Sequence, residues 1–103
     1  MKSKNNILDA KKIMRKLEEN LSDILKYGVE SIGLIGSYLK GEQNKKSDID
    51  LLVKFNKATF DNYIGLKLFL EKLFKRKVDL VIEKSLRPAF QYLKREASYV
   101  QGF

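Results

Sequence analysis

Two aspartates two residues apart, Asp48 and Asp50, head the apolar run Ile49-Asp50-Leu51-Leu52-Val53. A strand would point both carboxylates to one face, about 6.5–7 Å apart along the backbone. Its other face, Ile49, Leu51 and Val53, would then lie against a core. Like charges side by side on a sheet repel, so the pattern asks for a cation between them. Upstream, Gly36-Ser37 follows the short apolar stretch Ile32-Gly33-Leu34-Ile35 and would open a turn or helix. Free N–H groups and a hydroxyl at such a point suit a phosphate. A third aspartate, Asp79, interrupts the apolar run Val78-Asp79-Leu80-Val81-Ile82, where a charge would be buried or nearly so. Such a charge needs a partner. A salt bridge to a nearby Lys or Arg would supply one, and so would a metal shared with Asp48 and Asp50. Three carboxylates on neighbouring strands could hold two divalent ions about 3.5–4 Å apart, the spacing used for in-line phosphoryl displacement. One ion would carry a triphosphate and the other would lower the pKa of an attacking hydroxyl. On that reading Asp48 and Asp50 bind metal, while Asp79 shares the catalytic ion and takes the proton.

Composition narrows the chemistry further. The chain has 103 residues with 44% hydrophobic content, which predicts one compact domain over 1–103 and no room for a second. Cysteine and histidine are both absent, which excludes disulfide frameworks, thiol nucleophiles, zinc sites built on those residues and imidazole acid–base catalysis. The hard oxygen ligands that remain suit Mg²⁺, Mn²⁺ or Ca²⁺. Met1-Lys2-Ser3-Lys4-Asn5-Asn6 leads into an amphipathic pattern and not an uninterrupted apolar core, so no signal peptide is expected. No run reaches the length of a membrane span, and a soluble cytoplasmic protein is expected. The formal charge of +8, from 21 Lys and Arg against 13 Asp and Glu, permits polyanion binding. Most of these charges are lysines spaced along helical patterns, where a solvated face accounts for them.

The elements that must hold the aspartates can be read in order. From about Asn6 to Tyr27, Ile7, Ala10, Met14, Leu17, Leu21 and Ile24 recur with the helical period, widened by Leu8, Ile13 and Leu25. Gly28 stops that helix. Val29 to Ile35 reads as a strand, with Gly33 marking a close backbone approach or a bulge. A short helix through Tyr38, Leu39 and Lys40 ends at Gly41, and the polar loop 42–47 returns the chain to a strand over Asp48–Phe55. Thr59 is the expected N-cap of a helix from Phe60 to Lys75 that buries Tyr63, Leu66, Leu70, Leu73 and Phe74. A third strand, Val78 to Glu83, follows. Ser85-Leu86-Arg87-Pro88 would open a last helix with Ala89, Tyr92, Leu93 and Ala97 inward, and Ser98-Tyr99-Val100 a short edge strand. This α, β, α, β, α, β, α order describes one α/β domain.

Gly36-Ser37, Gly41, then Ser47-Asp48-Ile49-Asp50-Leu51-Leu52-Val53 and later Val78-Asp79-Leu80-Val81 resemble the signature of the polymerase-beta-type nucleotidyltransferases. Length and ending are similar to the smallest branch, the minimal nucleotidyltransferases, often antitoxins paired with a HEPN-domain toxin. The resemblance covers nearly the whole chain and implies a small α+β palm, a mixed sheet of three to four strands flanked by helices. It implies that Gly36 and Ser37 hold nucleotide phosphates, that Asp48 and Asp50 bind Mg²⁺ (or Mn²⁺), and that Asp79 completes the carboxylate triad. Lys40 stands where relatives carry Arg or Lys and could touch phosphate, though a solvated lysine fits equally. Gly41 serves the turn, and Ser47 could cap the loop or touch ligand. The implied reaction moves AMP from ATP onto a tyrosine of the partner toxin and releases pyrophosphate. Helix one and the core leave no wall for a second substrate, so the acceptor must arrive as a partner or be framed by a second copy of this chain. Two other readings stand beside this one: an antitoxin that neutralises by binding alone, and a small basic nucleic-acid binder. Against the last, no sheet face interleaves aromatics with Lys or Arg, and the candidate site is acidic.

Overall fold

A computed structural model describes residues 8–103. The first helix, α1 (Ala10–Glu19), is capped by Asp9, whose carboxylate accepts the Lys12 N–H at 2.9 Å, and it buries Ile13 and Leu17. The single helix expected here is broken at Asn20, whose side chain donates to the Lys16 carbonyl at 2.8 Å while its backbone leaves helical geometry. Asparagine offers the backbone this local alternative. The chain resumes as α2 (Leu21–Leu25), which buries Ile24 and turns Leu25 outward, 45% exposed. Asn6 and Ile7, expected in the same helix, lie outside the described residues.

Four strands follow: β1 (Val29–Ile35), β2 (Ile49–Phe55), β3 (Val78–Ile82) and β4 (Ser98–Tyr99). They lie in the order β3-β2-β1-β4. The β1 strand is antiparallel to both β2 and β4, with a bulge between Val29 and Ser31, whereas β2 and β3 run parallel. A parallel pair needs a crossover, and α4 (Phe60–Phe74) supplies it. Thr59 caps α4 as expected by accepting the Asn62 N–H at 3.1 Å, and Lys75 ends it at φ 55. Leu66, Leu70 and Phe74 are buried, with Tyr63 and Leu73 packed at the margin. One face of the sheet gives Ile32, Leu34, Ile49, Leu51, Val53 and Leu80 to a core shared with α1, α2 and α4.

Partners in register share a face, so Gly33, Ile35, Asp50, Leu52, Asp79 and Val81 lie on the other side. At Gly33 that side is covered by Tyr99 and Ala97 of the C-terminal segment. A Cβ at Gly33 would sit 2.9 Å from the Tyr99 ring, so it is a side chain that comes close there and not the backbone expected, and the bulge lies earlier in β1. The last helix is shorter than expected. Leu86 and Arg87 are extended (ψ 128 and 155) ahead of Pro88, so the segment splits into single 3₁₀ turns at Glu83–Ser85 and Pro88–Phe90 before α5 (Leu93–Glu96). A residue before proline is pushed out of the helical region. In consequence Ala89 and Tyr92 are exposed, not inward, while Leu93 and Ala97 are half-buried. No helix among the described residues is long and apolar enough to cross a membrane.

Candidate active site

The aspartates meet at the other end of this side of the sheet, where Asp48 and Asp79 are exposed. β1 leaves the sheet at Ile35, and Gly36 turns the chain at φ +78 into the short helix α3 (Gly36–Lys40). Gly41, at φ +73, closes that helix. Its first N–H groups have no helical partner and no side-chain cap. The Ser37 hydroxyl makes no hydrogen bond among the described residues. In the returning loop, Ser47 Oγ accepts the Asn44 N–H at 2.9 Å while its own N–H donates to the Asn44 carbonyl at 3.1 Å, so Ser47 caps the loop. Lys40 is exposed and pairs with nothing among the described residues.

The start of β2 is tied to β3 by the Ile49 N–H donating to the Lys77 carbonyl at 3.0 Å. That bond sets the register in which Asp50 lies directly beside Asp79 on one side and Ile35 on the other. Gly36 follows Ile35, and a methyl group there would overlap Asp50 Oδ2. Only glycine lets the turn and this carboxylate share the space. Burial first, then Asp79 and Asp48, raise the Asp50 pKa above its ordinary value. Asp48, just ahead of β2, and Asp79 are both exposed. The expectation that Asp79 is buried is therefore corrected: β3 is an edge strand and its polar side is open at this end. No salt bridge takes its place, because none of the three aspartates pairs with a cation or donor among the described residues.

The trio is electrostatically coupled, yet among the described residues no group of three such side chains is gathered closely enough to hold one ion alone. Mg²⁺ does not require that, since it commonly keeps waters and binds through one or two carboxylates plus substrate phosphates. Unpaired oxygen ligands, Asp50 half-buried and Asp48 and Asp79 exposed, beside free N–H groups fit that cation and an anionic substrate together. A separate cavity of about 590 Å³, lined by residues including Lys54, Phe55, Glu83 and Lys94, opens at the opposite end of β2 and β3. Two residues escaped sequence reading, Lys67 and Glu71 of α4. Glu71 Oε2 accepts the Val78 N–H at 3.0 Å and Lys67 Nζ at 3.0 Å, while Lys67 also donates to the Val78 carbonyl. Those contacts, the Val78 N–H first, hold the Glu71 carboxyl below its ordinary pKa. Their only trace in sequence is a common i,i+4 pair.

An open mixed sheet flanked by helices, with acidic strand heads beside a Gly-Ser turn, fits a nucleotidyl-transfer fold. The chain belongs to the nucleotidyltransferase domain family, whose model matches residues 14–99, and it is an enzyme of the minimal nucleotidyltransferase kind. A Methanocaldococcus jannaschii protein named "Putative protein adenylyltransferase" is 46% identical over 81 residues, 76% of this chain and 79% of that protein. The protein adenylyltransferase MntA of Thermococcus cleftensis is 39% identical over 77 residues, 73% of this chain and 78% of the relative. The solved structure of a "putative minimal nucleotidyltransferase" is 35% identical and superposes with a TM-score of 0.76, over 87% of this chain and 94% of that one. At 20% identity the same fold recurs in a complex described as a tri-AMPylated Shewanella oneidensis HEPN toxin with MNT antitoxin, TM-score 0.60, over 87% of this chain and 73% of that one.

Proposed function

We propose that this chain transfers AMP from ATP onto a tyrosine of a partner protein, a HEPN-type toxin, and thereby acts as its antitoxin. The observation that carries the reading is the in-register pair Asp50–Asp79 beside the Gly36 turn, on a surface left open for a macromolecular acceptor. The names of the relatives, protein adenylyltransferases, supply the class of acceptor, and a neighbour of the same fold supplies the kind of partner. Gly36 and Ser37 would hold the β- and γ-phosphates through N–H groups and hydroxyl, with Lys40 close enough along α3 to meet the same charge. Asp48 and Asp50 would hold Mg²⁺, with Asp79 beside them; the ion would supply charge neutralisation at the phosphates and activation of the attacking oxygen. The acceptor hydroxyl oxygen bonds to the α-phosphorus, the bond from that phosphorus to the β-bridging oxygen breaks, and pyrophosphate leaves. Asp79, exposed on the edge strand, takes the hydroxyl proton from an acceptor arriving from solvent. The test is magnesium-dependent label from α-labelled ATP on a purified HEPN partner. Label expected with the wild type should vanish in Asp48→Asn and Asp50→Asn, and equal labelling by those variants would sink the reading.

A further inference from the structure

The geometry points to Lys67 and Glu71 of α4 as a clamp that takes the place of a missing neighbour strand and positions Asp79 for transfer. This rests on the reading of Asp79 given above. In an extended strand the N–H and C=O of one residue point to the same side, and those of the next residue to the other. Among the described residues β3 is the sheet's edge, with β2 on one side only. Lys77 uses its inward carbonyl on Ile49 N–H, so Val78 must turn both of its backbone groups outward. An outward pair is normally left to water or to an aggregating partner. Here the Val78 N–H donates to Glu71 Oε2 at 3.0 Å, and its carbonyl accepts from Lys67 Nζ.

The two side chains are also joined to each other at 3.0 Å and are only about a third exposed. Together they present a donor and an acceptor as a strand would. The consequence falls on the next residue. With Val78 held from outside and Lys77 from inside, Asp79 is confined to the register that places it beside Asp50. The turn between α4 and β3 is short and includes Lys75 in left-handed geometry, so the clamp is the outer hold on this strand head, opposite the Lys77–Ile49 bond. A positioning error of about 1 Å can cost two orders of magnitude in a transfer step.

The experiment compares wild type, Glu71→Ala and Glu71→Gln. Alanine is a good helix former at this partly exposed site, so the fold should survive. Glu71→Ala should speed hydrogen exchange of the Val78 amide at least about tenfold while central β2 amides stay protected. It should lower the kcat of label transfer to a HEPN partner about 10–100-fold while ATP·Mg²⁺ binding stays within about twofold. Glu71→Gln, which keeps an acceptor for Val78, should recover most of the rate. Unchanged Val78 exchange would overturn the clamp. So would unchanged kcat, or a loss of rate that matches a loss of ATP binding or of folded protein. If wild type itself transfers no label, the proposed reaction fails separately, and the exchange at Val78 still decides whether the clamp exists.

Discussion

Asp50 is where the requirements of folding and of chemistry diverge. Burial, then Asp79, then Asp48 raise its pKa in the fold, so the folded chain holds the Asp50 proton more tightly than the unfolded chain does. Stability from this group is therefore lost as pH climbs from the ordinary value of 3.8 through the raised one, and it stays lost above. Asp50→Asn should raise the Tm of the metal-free protein at neutral pH while cutting label transfer at least about 100-fold. Added Mg²⁺ and ATP should raise the Tm of wild type but not of the variant. A lower Tm in the variant would mean that Asp50 has a stabilising partner. Gly36 sits under the same constraint from the backbone side. Its φ of +78 costs an L-residue about 1–2 kcal/mol, and a methyl would push on Asp50. Gly36→Ala should therefore lose at least that much in urea unfolding and lose transfer as well. Wild-type transfer by Gly36→Ala would show that Asp50 tolerates displacement.

At the scale of elements, α4 serves three ends: it carries the crossover, faces the core and clamps the edge strand. Thr59→Ala should cost about 1 kcal/mol through the lost cap, with transfer per folded molecule unchanged. Glu71 gives a pH signature of the opposite sign to Asp50. Its folded pKa is lowered, by the Val78 N–H first and Lys67 next. The stability it adds is thus complete above its ordinary 4.5 and disappears as pH falls through the lowered value. The Tm gap between wild type and Glu71→Gln should be steady above that point and close below it; a gap that widens in acid would contradict the clamp. The strands and α4 were legible because apolar runs and caps carry their own signal, as at Thr59 and in Ile49–Val53. The break at Asn20 was not, because the apolar period continues across it and only the local side-chain bond interrupts the helix. The splitting of the last helix was half-legible: Pro88 suits a helix start, and the same ring keeps Arg87 extended and out of that helix. That Asp48 and Asp50 gather beside the Gly36-Ser37 turn was legible, because the strand period and a strand-ending glycine are visible in sequence. The exposure of Asp79 was not, since edge status depends on strand order. Lys67 and Glu71 look like any solvated helical pair until β3 is placed against them.

For the molecule as a whole, the charge is +8, while the strand heads that converge are acidic. A small basic nucleic-acid binder would lay polyanion along a continuous positive face and lose affinity steeply with salt. Here a polyanion reaching Asp48, Asp50 and Asp79 would meet repulsion unless cations came with it, as they do with a nucleotide. The side of the sheet that carries these residues is roofed at one end by the C-terminal segment and open at the other. On the proposed reading, that open end is where a partner's acceptor side chain enters. The most direct measurement is incubation of the purified protein with α-labelled ATP, Mg²⁺ and a lysate of its host, beside an Asp48→Asn/Asp50→Asn control. The account predicts metal-dependent label on a discrete protein of a HEPN partner's size, absent from the control. No label with any nucleoside triphosphate, with either Mg²⁺ or Mn²⁺, would contradict it and leave neutralisation by binding as the function.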